Sequence, residues 1–429
     1  MKPIIHWVNH ASFILEFEGI RLLSDPWIEG MIFNDSWSLL VPTQFRYEDF
    51  DSITHLWFSH EHPDHFNPPN IKKIQGEIRK KIEVYFQETL DKRVVGFCDK
   101  LGFKKIVEMK PNVGYNLSPT LSILNTPAIH GDSWLFMKTP EYNFLNLNDC
   151  FYGAHSREAF EKIQKTIGGK VDVLFTQFSY ANWAGNPDDK IFRKQCARDK
   201  IEEIKQQVAI FKPKYVVPFA SYVWFSHKEN FFMNDLVNRI DDIYAMLKEL
   251  GTIPIVLYPG QRWEVGSEFS SKESIEKYLN DFNNTLKNPA LFEHPTFAEI
   301  EVQASAKKFR EQGLKLNDNA KLNSYLPFSF YVTDWKKSGR FSYKKGWENC
   351  SKSEAECDIS LSSQALKYCF DFSWGFGTLN VSGRYAVPKG GNYRNVGEYA
   401  WIAELNANGK SMKSFGHRVM ERIKEKLGF

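Results

Sequence analysis

Four potential metal ligands fall within six residues of one segment of this 429-residue chain. His60, His62, Asp64 and His65 follow directly after the apolar run Leu56–Phe58. A strand that ends there would hold the start of the loop rigidly, and the loop would let the four side chains converge instead of alternating. Imidazole and carboxylate ligands together suit zinc, iron or manganese, and no cysteine lies nearby to form a structural zinc site. The spacing therefore predicts a metal centre in this loop.

Three further residues occupy similar positions later in the chain. His130, Asp149 and His227 each follow a short apolar run that is typical of a strand. Each is weak evidence alone, because an isolated His or Asp at a strand end is more often a hydrogen-bonded structural residue. Together with the HxHxDH segment they are interpreted as additional ligands. Asp25, in a Ser-Asp-Pro turn, is predicted to anchor ligand histidines, and His10 either does the same or lines the pocket.

Four residues are candidates for contact with a substrate. Tyr180 and Trp183 lie close in sequence and could stack on a base or sugar, although core packing explains both rings equally well. His155 could contact the substrate or act as a general acid, and a surface histidine at the start of a helix is the alternative. Lys228, next to His227, is a candidate phosphate partner or a solvated charge.

Composition and charge narrow the class of protein. Hydrophobic residues make up 42% of the chain, which is enough for a sizeable core, and 55 Lys and Arg balance 52 Asp and Glu. This near-balance favours a small-molecule substrate over a nucleic acid partner. The sequence contains no run of 18 apolar residues, so it predicts no membrane-spanning helix. Its six cysteines include no CxxC pair. We therefore expect a cytoplasmic protein, with a homo-oligomer left open.

The elements that would position these residues divide the chain into regions. Short β-rich runs fill residues 1–58, and helices alternate with strands from residue 157 onward. This pattern predicts an α/β catalytic domain over 1–265, a helical connection over 266–299 and an α+β accessory domain over 300–429. Within the last region, the pattern predicts a strand at Gly377–Tyr385.

The order of the motifs resembles that of the metallo-β-lactamase superfamily, in which HxHxDH is followed by a His, an Asp and a last His. Asn9–Phe13 and Leu22–Pro26 are similar to the branch containing ascorbate-6-phosphate lactonase and N-acyl phosphatidylethanolamine phospholipase D. Three segments resemble CMP-N-acetylneuraminate hydroxylase: Leu147–Cys150, Val171–Gly185 and Lys212–Ala220. The resemblance covers about residues 1–260 and implies a four-layer αββα fold. The region from Asp358 to Arg384 looks faintly like a sterol-carrier-protein type module.

The resemblance also implies a ligand set and a reaction. Two divalent ions (zinc, iron or manganese) would be bound, with a shared hydroxide as the nucleophile and Asp64 also accepting a proton. The implied ligands are His60, His62 and His130 for one ion, Asp64, His65 and His227 for the other, and Asp149 as the bridge. The leading hypothesis is a metal-dependent hydrolase of a phosphoester, phosphodiester or lactone.

Two other functions stay open. A non-haem iron oxygenase acting on a nucleotide sugar or small metabolite would use the same ligand set. The hydroxylase carries a Rieske domain with Cys-x-His and Cys-x-x-His pairs, and these 429 residues contain neither, so this hypothesis requires an external reductase. A non-catalytic binding protein is the third hypothesis, and the complete ligand set argues against it.

Overall fold

The computed structural model describes residues 1–413, apart from the side chain of His130. This part of the chain divides into two compact units. The first unit consists of Met1–Ala181, Lys190–Ser226 and Met233–Ala290, and the second consists of Asn182–Asp189, His227–Phe232 and the chain from Leu291 onward. No helix among residues 1–413 is both long and apolar enough to cross a bilayer.

The first unit contains sixteen strands, most of them short. In chain order they are β1 (Ile4–Asn9), β2 (Ser12–Phe17), β3 (Ile20–Ser24), β4 (Trp37–Leu39), β5 (His55–Phe58), β6 (Glu83–Gln87), β7 (Lys105–Met109), β8 (Val113–Asn116), β9 (Ser122–Pro127), β10 (Ser133–Lys138), β11 (Asn143–Asn146), β12 (Val173–Gln177), β13 (Tyr215–Phe219), β14 (Val223–Phe225), β15 (Ile253–Pro254) and β16 (Arg262–Glu264). Its helices are α1 (Pro68–Lys73), α2 (Gly76–Arg79), α3 (Arg93–Lys100), α4 (Ser156–Ile167), α5 (Lys190–Phe211), α6 (Ile240–Glu249) and α7 (Lys272–Lys287).

These strands form two seven-stranded sheets and one two-stranded ribbon. The first sheet has the order β16-β1-β2-β3-β5-β6-β7, the second has the order β15-β13-β12-β11-β10-β9-β8, and β14 pairs with β4. Strands β3, β5, β6 and β7 are parallel, as are β11, β12, β13 and β15. Each sheet therefore presents the carboxyl ends of several parallel strands at one edge, where ligand sites form in α/β proteins.

Alternation along the strands places apolar side chains on both faces of the first sheet. Phe13 and Leu15 belong to the core between the sheets, whereas Ile14 belongs to a separate core that includes Ile71 and Val94 from the helices. The order of layers is therefore helix, sheet, sheet, helix, with α1–α3 on one outer face and α4–α6 on the other. The predicted four-layer α/β fold is confirmed.

The two sheets meet through a stacked aromatic pair. Phe13 and Phe175 lie with their ring centroids 4.2 Å apart and their planes 5° from parallel, and Phe13 is 1% exposed. We expect Phe13→Ala to lower the free energy of unfolding by about 3–5 kcal/mol, because it leaves a cavity that this core cannot close. Urea unfolding measures the loss, with Ile191→Ala, at a 90% exposed position, as a control that changes stability little. Equal stability of the two variants would contradict this packing.

The second unit has its own sheet and core. Its strands are β17 (Phe328–Val332), β18 (Lys337–Ser342), β19 (Gly346–Asn349) and β20 (Ile359–Leu361), and its helices are α8 (Glu299–Leu316), α9 (Asn319–Ser324), α10 (Ser363–Asp371), α11 (Gly375–Ser382) and α12 (Tyr393–Ala407). The sheet order is β19-β18-β17-β20. The short segment Asn182–Asp189 joins this unit through main-chain bonding, since Trp183 N donates to Asn380 O at 2.8 Å.

The strand predicted at Gly377–Tyr385 is wrong, because most of that segment is helix α11. Thr378 and Val381 suggested β structure, but Phe376, Leu379 and Ser382 are buried at a spacing of three residues, which is the spacing of one helix face. Gly383 then ends the helix with a φ of 66°, a left-handed conformation that glycine adopts without strain. The predicted connection at 266–299 contains α7, whose Tyr278 is buried in the core of the first unit.

Candidate metal centre

The HxHxDH loop begins at a point that is fixed by three hydrogen bonds. Strand β5 ends at Phe58, and the carbonyl oxygen of Ser59 accepts from Ser133 Oγ at 2.6 Å and from Gln87 Nε2 at 3.1 Å. The amide of Ser59 donates to Asp25 Oδ1 at 2.8 Å. The loop therefore leaves the sheet in one direction, which is the first requirement for bringing several donors together.

Asp25 connects this loop to two other segments. It follows β3 with a φ of 40°, and its fully buried carboxylate also accepts from Asn148 Nδ2 at 3.2 Å. Asp25 Oδ2 lies 3.1 Å from His65 Nδ1. A carboxylate at this position fixes the ring so that Nε2 faces the other donors, and a bound cation would take the place of the proton that Asp64, Asp149 and Asp25 favour on this ring by raising its pKa.

Among the described residues of the first unit, three groups of side chains that could hold a metal ion lie side by side. In each group, one donor atom from every member lies within 4.8 Å of the others. The groups are His10 with Asp64 and His65, His60 with His65 and Asp149, and His60 with His62 and Asp132. Because His65 and His60 each belong to two groups, the donors form one continuous set.

The individual distances suit a shared cation. His65 Nε2 lies 3.0 Å from Asp64 Oδ2 and 3.2 Å from Asp149 Oδ2, and His60 Nε2 lies 2.9 Å from His62 Nδ1. Two donor atoms bound to the same tetrahedral zinc ion are about 3.4 Å apart. The distances within these pairs are close to that value. Asp64 Oδ1 is buried and has no hydrogen-bond partner among the described residues, which also fits a metal ligand.

The electrostatics of the set reflect crowding of titratable groups. Burial, followed by the charges of His65 and His62, holds the pKa of His60 well below its ordinary value, so this ring is a neutral ligand. Burial opposes ionisation of Asp64, but His65 and His10 outweigh it and hold its pKa well below the ordinary value. Burial and the nearby Asp149 raise the pKa of Asp132 to about 7. A divalent cation would relieve this crowding by favouring the ionised carboxylates.

Two of the predicted ligands are not among these groups. His130 lies in the turn Ile129–Gly131, and its side chain is outside the described residues. His227 belongs to the second unit, where its ring stacks against that of His294 at 5.5 Å between centroids. Burial, with Arg384 and His294 as further causes, lowers the pKa of His227 to about 3. Their roles as ligands stay predictions.

The predicted substrate contacts are dispersed. Tyr180 is buried in the first unit and donates its hydroxyl to Met233 O. His155 is exposed immediately before α4. In the second unit, Trp183 stacks on Tyr385 at 5.1 Å, and Lys228 Nζ forms an ion pair with Glu293 at 3.2 Å. None of the four belongs to a donor group within residues 1–413.

Sequence reasoning missed Asp132 and assigned His10 no direct contact with a metal. Asp132 lies two residues after His130, in the same Thr-Pro-Ala-Ile-His-Gly-Asp segment, and its Oδ1 is 3.5 Å from His60 Nε2. Its carboxylate, two residues from a predicted ligand, was the feature of the sequence that could have indicated Asp132 as a further candidate ligand. His10 Nε2 lies 3.4 Å from Asp64 Oδ2, a hydrogen-bond distance that suits the predicted anchoring role as well as a place in the donor group, and its role stays a prediction.

Comparison with known families agrees with the fold and the position of the donors. Residues 4–139 match the model of a family described as the beta-lactamase superfamily domain, a range that contains β1–β10 and the HxHxDH loop. Over residues 4–139 this chain is therefore similar to the superfamily that the order of its motifs resembles. The continuous histidine and carboxylate set is the candidate metal centre, and all of its members except Asp149 lie within the matched range.

Curated relatives match over a wider range at low identity. A putative Rieske 2Fe-2S iron-sulfur protein from Mycolicibacterium smegmatis is 24% identical over 53% of this chain and 45% of its own length. The cytidine monophosphate-N-acetylneuraminic acid hydroxylase of Mus musculus is 22% identical over 55% of this chain and 42% of its own length. This chain thus spans less than half the length of either relative.

Among solved structures, the fold is similar to that of CmlA, a diiron β-hydroxylase from Streptomyces venezuelae. The two share 16% sequence identity with a TM-score of 0.42, over 62% of this chain and 54% of CmlA.

Proposed function

We propose that this chain is a metal-dependent hydrolase that acts on a phosphoester, a phosphodiester or a lactone. The observation that carries the proposal is the continuous donor set in which His60 and His65 are each shared by two groups. His60 and His65, with the other members of the set, would hold two divalent cations, which would supply a water molecule of lowered pKa and polarise the bond that is to be broken. Histidine and carboxylate donors suit zinc and manganese, which support this chemistry.

Asp64 is the residue we assign to proton transfer. Its Oδ2 faces His10 at 3.4 Å and His65 at 3.0 Å, whereas its Oδ1 is buried without a hydrogen-bond partner among the described residues. The lowered pKa keeps the carboxylate ionised, so that Oδ1 is available to accept a proton from the attacking water or to bind a metal.

Two residues outside the donor set hold it in place. Asp25 fixes the ring of His65, as described above. Gln177 Nε2 donates to Asp149 Oδ1 at 2.9 Å, which leaves Asp149 Oδ2 facing His65. This arrangement orients one atom each of His65 and Asp149 before any metal binds, and such preorganisation favours hydrolysis at a metal centre.

An iron-dependent oxygenase is the second candidate, and the curated relatives favour it. One relative is named a hydroxylase and another a Rieske iron-sulfur protein, and both match just over half of this chain. Oxygen chemistry would require iron in the same donor set and an electron donor. Among residues 1–413, no cysteine belongs to a metal-binding group, so the electrons would come from a separate protein or domain.

Elemental analysis of protein purified without oxygen and without added metal separates the two candidates. We expect about two zinc or manganese ions per chain and anaerobic hydrolysis of bis(4-nitrophenyl) phosphate or dihydrocoumarin that a chelator abolishes. About two iron ions per chain, with oxygen consumption that needs an added reductant, would replace the hydrolase by the oxygenase. Less than half an ion per folded chain would contradict both candidates.

A further inference from the structure

A cavity in the first unit is lined by 17 residues, of which six are aromatic, seven are aliphatic and four are polar or charged. The space between its walls is about 590 Å³, a figure that includes solvent at the mouth, so the enclosed space is smaller. The rings that line it are those of Phe178, Tyr180, Tyr222, Phe225, Tyr278 and Phe282. Tyr222 and Tyr278 stack at 4.1 Å, and Phe178 meets Tyr222 edge-on at 5.3 Å, so the walls are held by one another.

The three tyrosines present ring surface and not hydroxyl groups to the cavity. Each hydroxyl donates to a main-chain carbonyl elsewhere in the first unit. The acceptors are Met233 O for Tyr180, Pro218 O for Tyr222 and Leu257 O for Tyr278. Because these hydrogen bonds point away from the cavity, three side chains that could have been polar contacts act as apolar walls.

The polar side chains of the lining are also engaged with the main chain. Ser221 Oγ accepts from the amides of Phe178 and Ser179 at 3.1 and 3.0 Å. Asn238 Nδ2 donates to the carbonyl oxygens of Phe178 and Ala197 at 2.9 and 2.8 Å. A ligand group in this cavity would therefore meet few polar partners, and an uncharged apolar group is the occupant that suits it.

One charged residue marks the edge of the lining. Arg239 places its guanidinium 5.6 Å from the centre of the Phe282 ring and donates to Asn283 Oδ1 at 3.3 Å. Its side chain is 37% exposed, so the charge lies in contact with solvent. The guanidinium of Arg239 therefore adds no polar group to the interior of the cavity.

No residue of the donor groups lines the cavity, and its link to the candidate metal centre is the main chain of Ala220, one of the lining residues. The amide of Ala220 donates to His10 O at 2.9 Å, and its carbonyl oxygen accepts from Gln177 Nε2 at 3.4 Å. Gln177 in turn donates to Asp149 Oδ1 at 2.9 Å. One wall of the cavity is thus hydrogen-bonded directly to two residues that position or supply metal donors.

We propose that this cavity receives an aromatic group of the substrate while the bond to be broken lies at the metal centre. The type of reaction in this inference rests on the proposed function. The binding of an aromatic group in the cavity does not depend on it. Rigid ring walls offer edge-to-face and offset-stacked contacts to a flat ring, and a flexible alkyl chain would make fewer of these contacts. The substrate class is therefore an ester, phosphoester or lactone that carries an aryl group close to the reacting centre.

Filling the cavity tests the proposal by direct binding. Val237 lines the cavity, and Val237→Trp would occupy its space; Leu279→Trp, from helix α7, is the second filling variant in case the first fails to fold. Ile191→Trp, at a 90% exposed position on α5, is the matched control. The probe is 2-naphthol, whose fluorescence reports binding, with 1-decanol as its aliphatic competitor.

We expect saturable binding of 2-naphthol to the wild type and to Ile191→Trp, and affinity at least tenfold weaker in a folded filling variant. Absence of saturable binding, or equal affinity in the filling variants, would overturn the proposal. Tighter binding of 1-decanol than of 2-naphthol would replace the aromatic occupant by an acyl chain and would also overturn it.

A pair of substrates distinguishes failure of the cavity from failure of the proposed function. 4-Nitrophenyl phenylphosphonate and 4-nitrophenyl methylphosphonate release the same leaving group and differ only in the group that the cavity would hold. We expect kcat/KM to favour the phenyl compound at least tenfold in the wild type and in Ile191→Trp, and this preference to fall in Val237→Trp. Naphthol binding without hydrolysis of either compound would overturn the proposed function alone, whereas hydrolysis of both at equal rates would overturn the aromatic cavity alone.

Discussion

We expect His65→Ala to remove more than half of the bound metal and to lower the proposed hydrolytic activity by more than about 100-fold. The expected loss is large because His65 belongs to two of the three donor groups, so a single substitution takes one ligand from each. The neighbouring carboxylates Asp64 and Asp149 would also lose their shared partner at 3.0 and 3.2 Å. Metal content by elemental analysis, on protein with an unchanged circular dichroism spectrum, measures the effect.

The matched control is His6→Ala in the same unit. His6 lies on β1, is partly exposed and pairs with Glu16 at 2.9 Å, and it belongs to none of the donor groups found in the described residues. We expect wild-type metal content and activity for this variant. Full metal occupancy in His65→Ala would show that the donor groups are not where metal binds.

The local part of the site follows from the sequence because it depends on neighbouring residues. The apolar run Leu56–Phe58 predicts a strand, and β5 ends at Phe58, so that the HxHxDH loop starts at the carboxyl end of a strand as expected. Asp25 could be singled out from its Ser-Asp-Pro turn, and the structure places its carboxylate 3.1 Å from His65 Nδ1. Patterns of this kind involve residues that are close in sequence, so the local backbone is enough to position them.

The long-range part could not be predicted in the same way. Asp132 meets His60 because the turn between the antiparallel strands β9 and β10 lies close to the end of β5, and no local pattern specifies that these two segments meet. His227 was selected by its position after an apolar run, yet a position at a strand end does not specify which unit the residue joins. Helix α11 was mistaken for a strand because its β-branched residues outweighed its three-residue spacing of buried side chains.

Asp25→Ala tests whether the residue that anchors His65 controls the metal centre without binding metal. The fully buried carboxylate accepts from Ser59 N at 2.8 Å and from Asn148 Nδ2 at 3.2 Å, and it lies 3.1 Å from His65 Nδ1. Alanine leaves these groups buried without an acceptor, so we expect about 3 kcal/mol or more to be lost from the free energy of unfolding. Metal affinity should fall by about 10–100-fold because the ring of His65 is no longer fixed.

Asp172→Ala separates the two effects, because it removes another buried carboxylate from the same unit. Asp172 Oδ2 accepts from Asn143 N at 3.0 Å immediately before β12, at the opposite end of that strand from Gln177. We expect this control to lose stability while keeping wild-type metal affinity, measured by competition with a chromophoric chelator. Asp25→Asn keeps one carbonyl acceptor and should recover part of the affinity. If Asp25→Ala and Asp172→Ala bound metal equally well, Asp25 would contribute to the fold alone, and the orientation of His65 would depend on the remaining loop contacts.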